Sequence, residues 1–252
     1  MTTLEVELSV QDPAGVTTAA HLHPDRIELC AALDLGGLTP SAALIDAAVA
    51  AREAGGPEVH VLIRPRAGHF HYSKAELDVI LADCRDAVAR GADGVVVGAA
   101  TADGQQLDLR AIEAMVAAAG GRQVTVHRVL DTVADPVASA GELRGLGVTR
   151  LLTSGGAATA VEALEVLRAM VEVCGQEIAV MAGSGVRAET VPDIAATGVR
   201  AVHASAGTRQ APAGASLALG STDDGSYATT DVDLARRFIA AARALTSADA
   251  HR

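Results

Sequence analysis

Eight short runs rich in β-branched residues recur along the chain, and the stretches between them read as helices. The runs are "LEVELSV", "RIELC", "VHVLIR", "GVVVG", "QVTVHR", "RLLTS", "EIAVMAG" and "AVHASA". Their starts fall roughly 20–35 residues apart, the period of a strand–helix unit. Asp12-Pro13, Thr39-Pro40 and Asp135-Pro136 each pair a capping side chain with proline at a first helical position. "SKAE", from Ser73 to Glu76, has capping-box spacing, and Gly91, Gly147 and Gly198 stand where helices stop before the next strand. Eight units in 252 residues predict a closed (β/α)8 barrel of the TIM type, as a single domain. A doubly wound open sheet is the competing architecture, but no GxGxxG follows the first run. The segment 207–230, "GTRQAPAGASLALGSTDDGSYATT", breaks the rhythm. It reads as an irregular loop that covers the barrel mouth or meets a neighbouring subunit.

The chain has no Trp, two Tyr and two Phe, so the core must be built from Val, Leu, Ile and Ala. Its formal net charge of −11 disfavours phosphate backbones and anionic bilayers, so neither nucleic acid nor membrane is an expected partner. "MTTLEVELSV" lacks the basic start and apolar stretch of a signal peptide, and no run reaches the roughly 18 apolar residues of a membrane span. Cysteines at 30, 84 and 174 match neither a disulfide framework nor a zinc spacing. A reduced, cytoplasmic protein is expected.

In a barrel, chemistry collects where strands turn into helices. The first strand offers Glu5, Glu7 and Ser9 on one face, and the second offers Glu28 and Cys30. The third ends with Arg64, Arg66, His69 and His71, and the fifth with His127, Arg128 and Asp131. Guanidinium forks match carboxylate or phosphate oxygens, so Arg64, Arg66 and Arg128 read as an anion site. The alternative is ion pairing with Glu5, Glu7 or Glu28 inside the mouth. His127 reads as a proton exchanger with Glu28, or else as a hydrogen-bonded core histidine, and Asp131 either orients it or balances Arg128. His69 and His71 read as solvated or capping. Ser154-Gly155-Gly156 and Gly183-Ser184-Gly185 follow the sixth and seventh strands, and His203 and Ser205 end the eighth. These turns read as anion cups, or as the tight turns that any barrel needs. Cys30 reads as a small buried hydrophobe, because Cu(I) requires at least two soft ligands and the other cysteines fall on outer helices.

The stretches "DRIELCAALDLGGLTP", "IRPRAGHFHYS", "GADGVVVGAATADG", "VTVHRVLD", "LGVTRLLTSGG", "VMAGSGVRAE" and "VHASAG" resemble the CutC family of copper homeostasis proteins. The resemblance runs from about residue 4 to residue 207 and fades beyond. It implies a TIM-like barrel, a cytoplasmic homodimer or higher assembly, and copper handling, with Cu(I) held by cysteines in some members. Glu5, Glu28, Cys30, Arg64, Arg66, His127, Arg128, Asp131, Ser154, Gly155, Gly183, Gly185, His203 and Ser205 sit on its motif positions. Members that bind copper carry a first-strand cysteine where this chain has Glu7.

Two main readings result. One is a copper-homeostasis protein with Cys30 as metal ligand. The other is an enzyme that moves protons on a small anionic metabolite, phosphorylated or not, without a nucleotide or redox cofactor. A third is a scaffold whose dimer surface uses residues 207–230.

Overall fold

A computed structural model describes residues 4–211 and 225–249. Eight parallel strands close in chain order: β1 Glu5–Val10, β2 Arg26–Leu29, β3 Glu58–Leu62, β4 Gly94–Val97, β5 Gln123–Val126, β6 Arg150–Thr153, β7 Ala179–Ala182 and β8 Ala201–Ala204. β8 returns to β1, with Ala204 beside Leu8, so the barrel leaves no edge. Seven helices separate the strands: α1 Pro13–Leu22, α2 Ala42–Glu53, α3 Lys74–Ala89, α4 Leu109–Ala118, α5 Pro136–Glu142, α6 Leu164–Cys174 and α7 Val191–Ala195. α8, Val232–Asp249, completes the ring. The expected (β/α)8 barrel is therefore present.

Strand alternation divides the buried residues into two populations. Val6, Leu8, Ile27, Val59, Val61, Val95, Val124, Val180 and Val202 face outward and join one continuous core with the helices. The inward set is different. It holds two small apolar clusters, Cys30–Leu62–Val96 and Leu152–Met181–Ala201, with charged and imidazole side chains at other inward positions. Gly94 and Gly98 bracket β4 because a Cβ at either would lie 2.7 Å from a histidine ring, His60 and His127 respectively. Gly98→Ala should therefore cost about 1–3 kcal/mol in denaturant unfolding, by forcing His127 and Val129 apart. An unchanged unfolding midpoint would show that the ring has room to move.

Most of the helix starts fall where the caps predict. The Asp12 side chain accepts from Gly15 N–H at 2.7 Å, Asp135 accepts from Ala138 N–H at 2.9 Å, and Ser73 and Glu76 close a capping box. Gly91, Gly147 and Gly198 take φ of +101°, +86° and +90° ahead of the next strand. Thr39-Pro40 is a correction. α2 begins two residues later with Ser41 as its cap, and Thr39 Oγ1 instead accepts the Arg64 N–H at 2.9 Å. The tertiary partner outcompeted the local cap.

The segment 207–230 is also corrected in part. Its ends pair as an antiparallel ribbon, β9 Gly207–Gln210 with β10 Tyr227–Thr230, while 212–224 lie outside the described residues. Gln11 beyond β1 donates to Ala228 O at 2.6 Å, fastening this ribbon to the barrel mouth. No helix among the described residues is long and apolar enough to cross a membrane.

Candidate active site

The C-terminal strand ends surround a hollow of about 460 Å³, a size that suits a small metabolite. Glu28, Arg64, Phe70, His127, Arg128 and His203 all line it. Side chains from β2, β8 and the segments following β3 and β5 thus meet at one place, as strand-end chemistry in a barrel requires.

On one side lie two carboxylates and an imidazole. His203 Nδ1 sits 2.8 Å from Glu7 Oε1, and its Nε2 lies 3.9 Å from Glu28 Oε2. Burial would lower the His203 pKa, but the bond to Glu7 and the charges of Glu28 and Glu7 outweigh it and raise the pKa. Burial would likewise raise that of Glu7, yet Arg26 at 2.6 Å and His203 hold it far below the carboxylate range. Glu28 moves the opposite way. Burial, with the Glu7 charge added, raises its pKa despite the opposing effects of His203 and the Ser9 hydroxyl at 3.1 Å. Neighbouring groups whose pKa values are pushed apart are what acid–base chemistry needs.

On the other side are unsatisfied donors. Arg64 is buried and its guanidinium bonds three carbonyls: Leu35 and Gly37 at 3.0 Å and Gly68 at 2.9 Å. Among the described residues no carboxylate pairs with it, and its Nε–H has no acceptor. His127 Nδ1 accepts the Val129 N–H at 3.1 Å, which places the neutral ring's proton on Nε2, and that donor also has no partner. Burial, reinforced by the Arg64 charge, pushes the His127 pKa down to about 3. His127 is thus a neutral hydrogen-bond donor at physiological pH, a correction to its expected proton exchange. The Phe70 ring touches both groups, 5.0 Å from the Arg64 guanidinium carbon and 4.8 Å from the His127 ring.

Several sequence-predicted site residues are occupied elsewhere. Arg66 turns away from the hollow and binds Glu76 of α3 at 2.5 Å, because alternation no longer governs side-chain direction beyond the strand end. Asp131 does not orient His127. Its carboxylate fills the turn after β6, accepting from Thr153 Oγ1 at 2.5 Å, Ser154 N–H at 3.0 Å and Gly156 N–H at 3.1 Å. It also pairs with Arg128 at 2.7 Å, and Gly155 N–H goes to Thr153 Oγ1. Ser154, Gly155 and Gly156 therefore form an anion cup whose anion is the chain's own. Gly183 packs beneath Leu152 and does not line the hollow, whereas Ser184, Gly185 and Ser205 do. His69 and His71 are exposed.

The alternative reading, ion pairing of Arg64, Arg66 and Arg128 with Glu5, Glu7 or Glu28, does not hold among the described residues. The arginine partners of Glu5 and Glu7 are Arg26 and Arg150, whose roles sequence reasoning missed, at the start of β2 and β6. Arg187 and Arg237, which also line the hollow, were missed as well. Arg187 follows the turn after β7 by two residues, a usable signal. Arg237 lies on an amphipathic helix, where a charge reads as solvated.

Cys30 does not fit a Cu(I) centre. The thiol is fully buried, and burial, with the nearby Glu28 charge, raises its pKa. Its polar neighbour is the Ser9 hydroxyl at 3.7 Å, a hard group. Cys84 and Cys174 are buried in α3 and α6 of the outer ring, with thiol pKa values pushed up to about 12 and about 11, chiefly by burial. Among the described residues no three His, Cys, Asp or Glu side chains are grouped to hold a metal.

Comparison with known proteins gives one consistent result. The sequence pattern of the CutC family matches residues 4–208. A CutC family protein of Rhizobium meliloti is 43% identical over 211 residues, covering 82% of this chain and 84% of the relative. One from Glaesserella parasuis is 41% identical over 209 residues, with the same coverage. A crystal structure of CutC from Streptococcus agalactiae superimposes with a TM-score of 0.76 at 32% identity, covering 81% of this chain and 99% of that one.

Proposed function

The chain belongs to the CutC family, and from that premise we propose that its barrel mouth is an enzyme active site for a small anionic metabolite. The observation that carries this reading is Arg64. A buried guanidinium without a counter-ion is costly unless a ligand supplies one, and here Arg64 and His127 both line the hollow. Arg64 and His127 hold the substrate's anionic or oxyanion-forming end.

The reaction class is proton transfer. Glu28 removes a proton from carbon beside the substrate carbonyl, and the C–H electron pair moves toward the carbonyl oxygen. The Nε–H of Arg64 and the Nε2–H of His127 stabilise that oxyanion. His203 then gives its Nε2 proton to the neighbouring carbon of the intermediate, while Glu7 fixes its ring through Nδ1. Glu28 passes the proton it took to His203 Nε2, 3.9 Å away, which restores both groups. An isomerisation follows, with no net gain or loss of atoms. The three free thiols accord with a reducing, cytoplasmic setting.

The test is isotope exchange. Small keto- and hydroxy-carboxylates and their phosphates are incubated with the protein in D2O and followed by NMR. Exchange should fall by about 10²–10⁴-fold in Glu28→Gln and in His203→Asn. Exchange that is unchanged in both variants would overturn the reading.

Copper handling, the meaning of the family's name, lacks a soft ligand set here. In an anaerobic titration against a competing chelator, the folded protein should leave Cu(I) with the chelator, and Cys30→Ser should behave identically. Tight binding lost in Cys30→Ser would move the thiol to the centre of the account.

A further inference from the structure

The hollow carries more positive charge than the proposed reaction uses. Arg187, in the turn leading to α7, and Arg237, on α8, line it but are exposed, whereas Arg64 and His127 are buried. They therefore mark its outer edge. Among the described residues neither guanidinium meets a carboxylate, although the molecule as a whole is acidic. Glu189 also lines this edge and pairs with neither. Arg237 lies beyond residue 208, outside the stretch that the family pattern matches.

The backbone beside them is open as well. Ser184 and Gly185 take φ of +75° and +66°, and a Cβ on Gly185 would lie 2.6 Å from Thr159. No acceptor among the described residues meets the N–H groups of Gly185 and Val186. The neighbouring turn after β6 shows what such a Ser–Gly turn does with an anion: it closes on the Asp131 carboxylate. The turn after β7 has the same residue types, and no carboxylate of the chain enters it. One cup is filled from within, and the other faces the hollow.

Resting on the proposed function of the same mouth, we infer that the substrate is a phosphorylated metabolite with two anionic ends. The phosphate lies at the outer edge, held by Arg187, Arg237 and the Gly185 and Val186 N–H groups. The inner end lies against Arg64 and His127. A hollow of about 460 Å³ exceeds what either anion alone would fill and leaves space for a short carbon frame between them. Arginine forks and backbone donors together are the usual recognition of a phosphomonoester.

NMR titration with two probes tests this. Formate reports the inner end through the His127 signals, and inorganic phosphate reports the outer end through the Gly185 and Val186 amides. Both should bind at once. Arg187→Gln with Arg237→Gln should weaken phosphate about tenfold or more while changing formate affinity by less than about twofold. Glu189→Gln should strengthen phosphate by removing the edge carboxylate. Phosphate that competes with formate for the inner end, or that binds the double variant as well as the unaltered protein, overturns the two-ended substrate. Formate that leaves His127 unmoved, or binds Arg64→Met equally well, overturns the proposed function instead. The two failures are separately visible.

Discussion

Glu7→Gln should lower stability by about 3–5 kcal/mol, the usual consequence of removing one partner from a buried ion pair. Glu7 is fully buried and bonds Arg26 Nε at 2.6 Å and His203 Nδ1 at 2.8 Å. Glutamine preserves its size but leaves Arg26 with the half-exposed Glu5 and the more distant Glu58. The loss should depend on pH in a defined sense. The Glu7 pKa is depressed by folding, so its contribution is present above about pH 4.5 and lost as pH falls through the folded value. The His203 pKa is raised, so its contribution is complete below about pH 6.5 and lost as pH rises through the folded value. The difference between Glu7→Gln and the unaltered protein should therefore be largest between about pH 5 and 6.5, shrinking on both sides. Urea unfolding across pH measures it. A difference that stays flat across pH would mean that His203 is neutral and not coupled to Glu7. The variant should also lose proton exchange, because His203 would no longer be held as a charged acid.

The second large effect is expected at Arg64. Arg64→Met removes the charge and strands the carbonyls of Leu35, Gly37 and Gly68, for about 2–4 kcal/mol of stability. Formate affinity should fall by about a hundredfold, in line with the loss of a desolvated charge-assisted contact. Arg66→Met is the matched control. It breaks the pair with Glu76 at the surface, where solvent screens the charges, so stability should change much less than in Arg64→Met and anion binding should not change. Equal losses in both variants would mean that the effect is general electrostatics and not a site.

The barrel was legible because its signals are local and repeated. Each β-branched run buries a strand, and Asp12, Ser73 and Asp135 cap the helices that follow or intervene. Alternation also placed Glu5, Glu7 and Ser9 on the inner face of β1. It could not assign partners, because depth along the barrel axis depends on strand stagger. Register sets Glu7 beside Arg26 on one side and His203 on the other, leaving Arg64 without a carboxylate. The same limit hid the surroundings of the histidines. His127 and His203 both stand at strand ends, but only the fold shows one facing a backbone N–H and the other between two carboxylates. Thr39 and Asp131 misled for a related reason: each carries a good local signal that a distant partner claims. β9 and β10 pair with Gln210 opposite Tyr227 and Arg209 opposite Ala228, too far apart in sequence for the two-residue hairpin signal to announce them.

The account turns on one placement: an anion held between Arg64 and His127, facing Glu28 and His203. A high-resolution crystal structure of the protein saturated with formate examines it directly. The prediction is one formate with oxygens about 2.7–3.1 Å from Arg64 Nε and His127 Nε2. Formate elsewhere in the lattice, with those two N–H groups meeting only water, would contradict it.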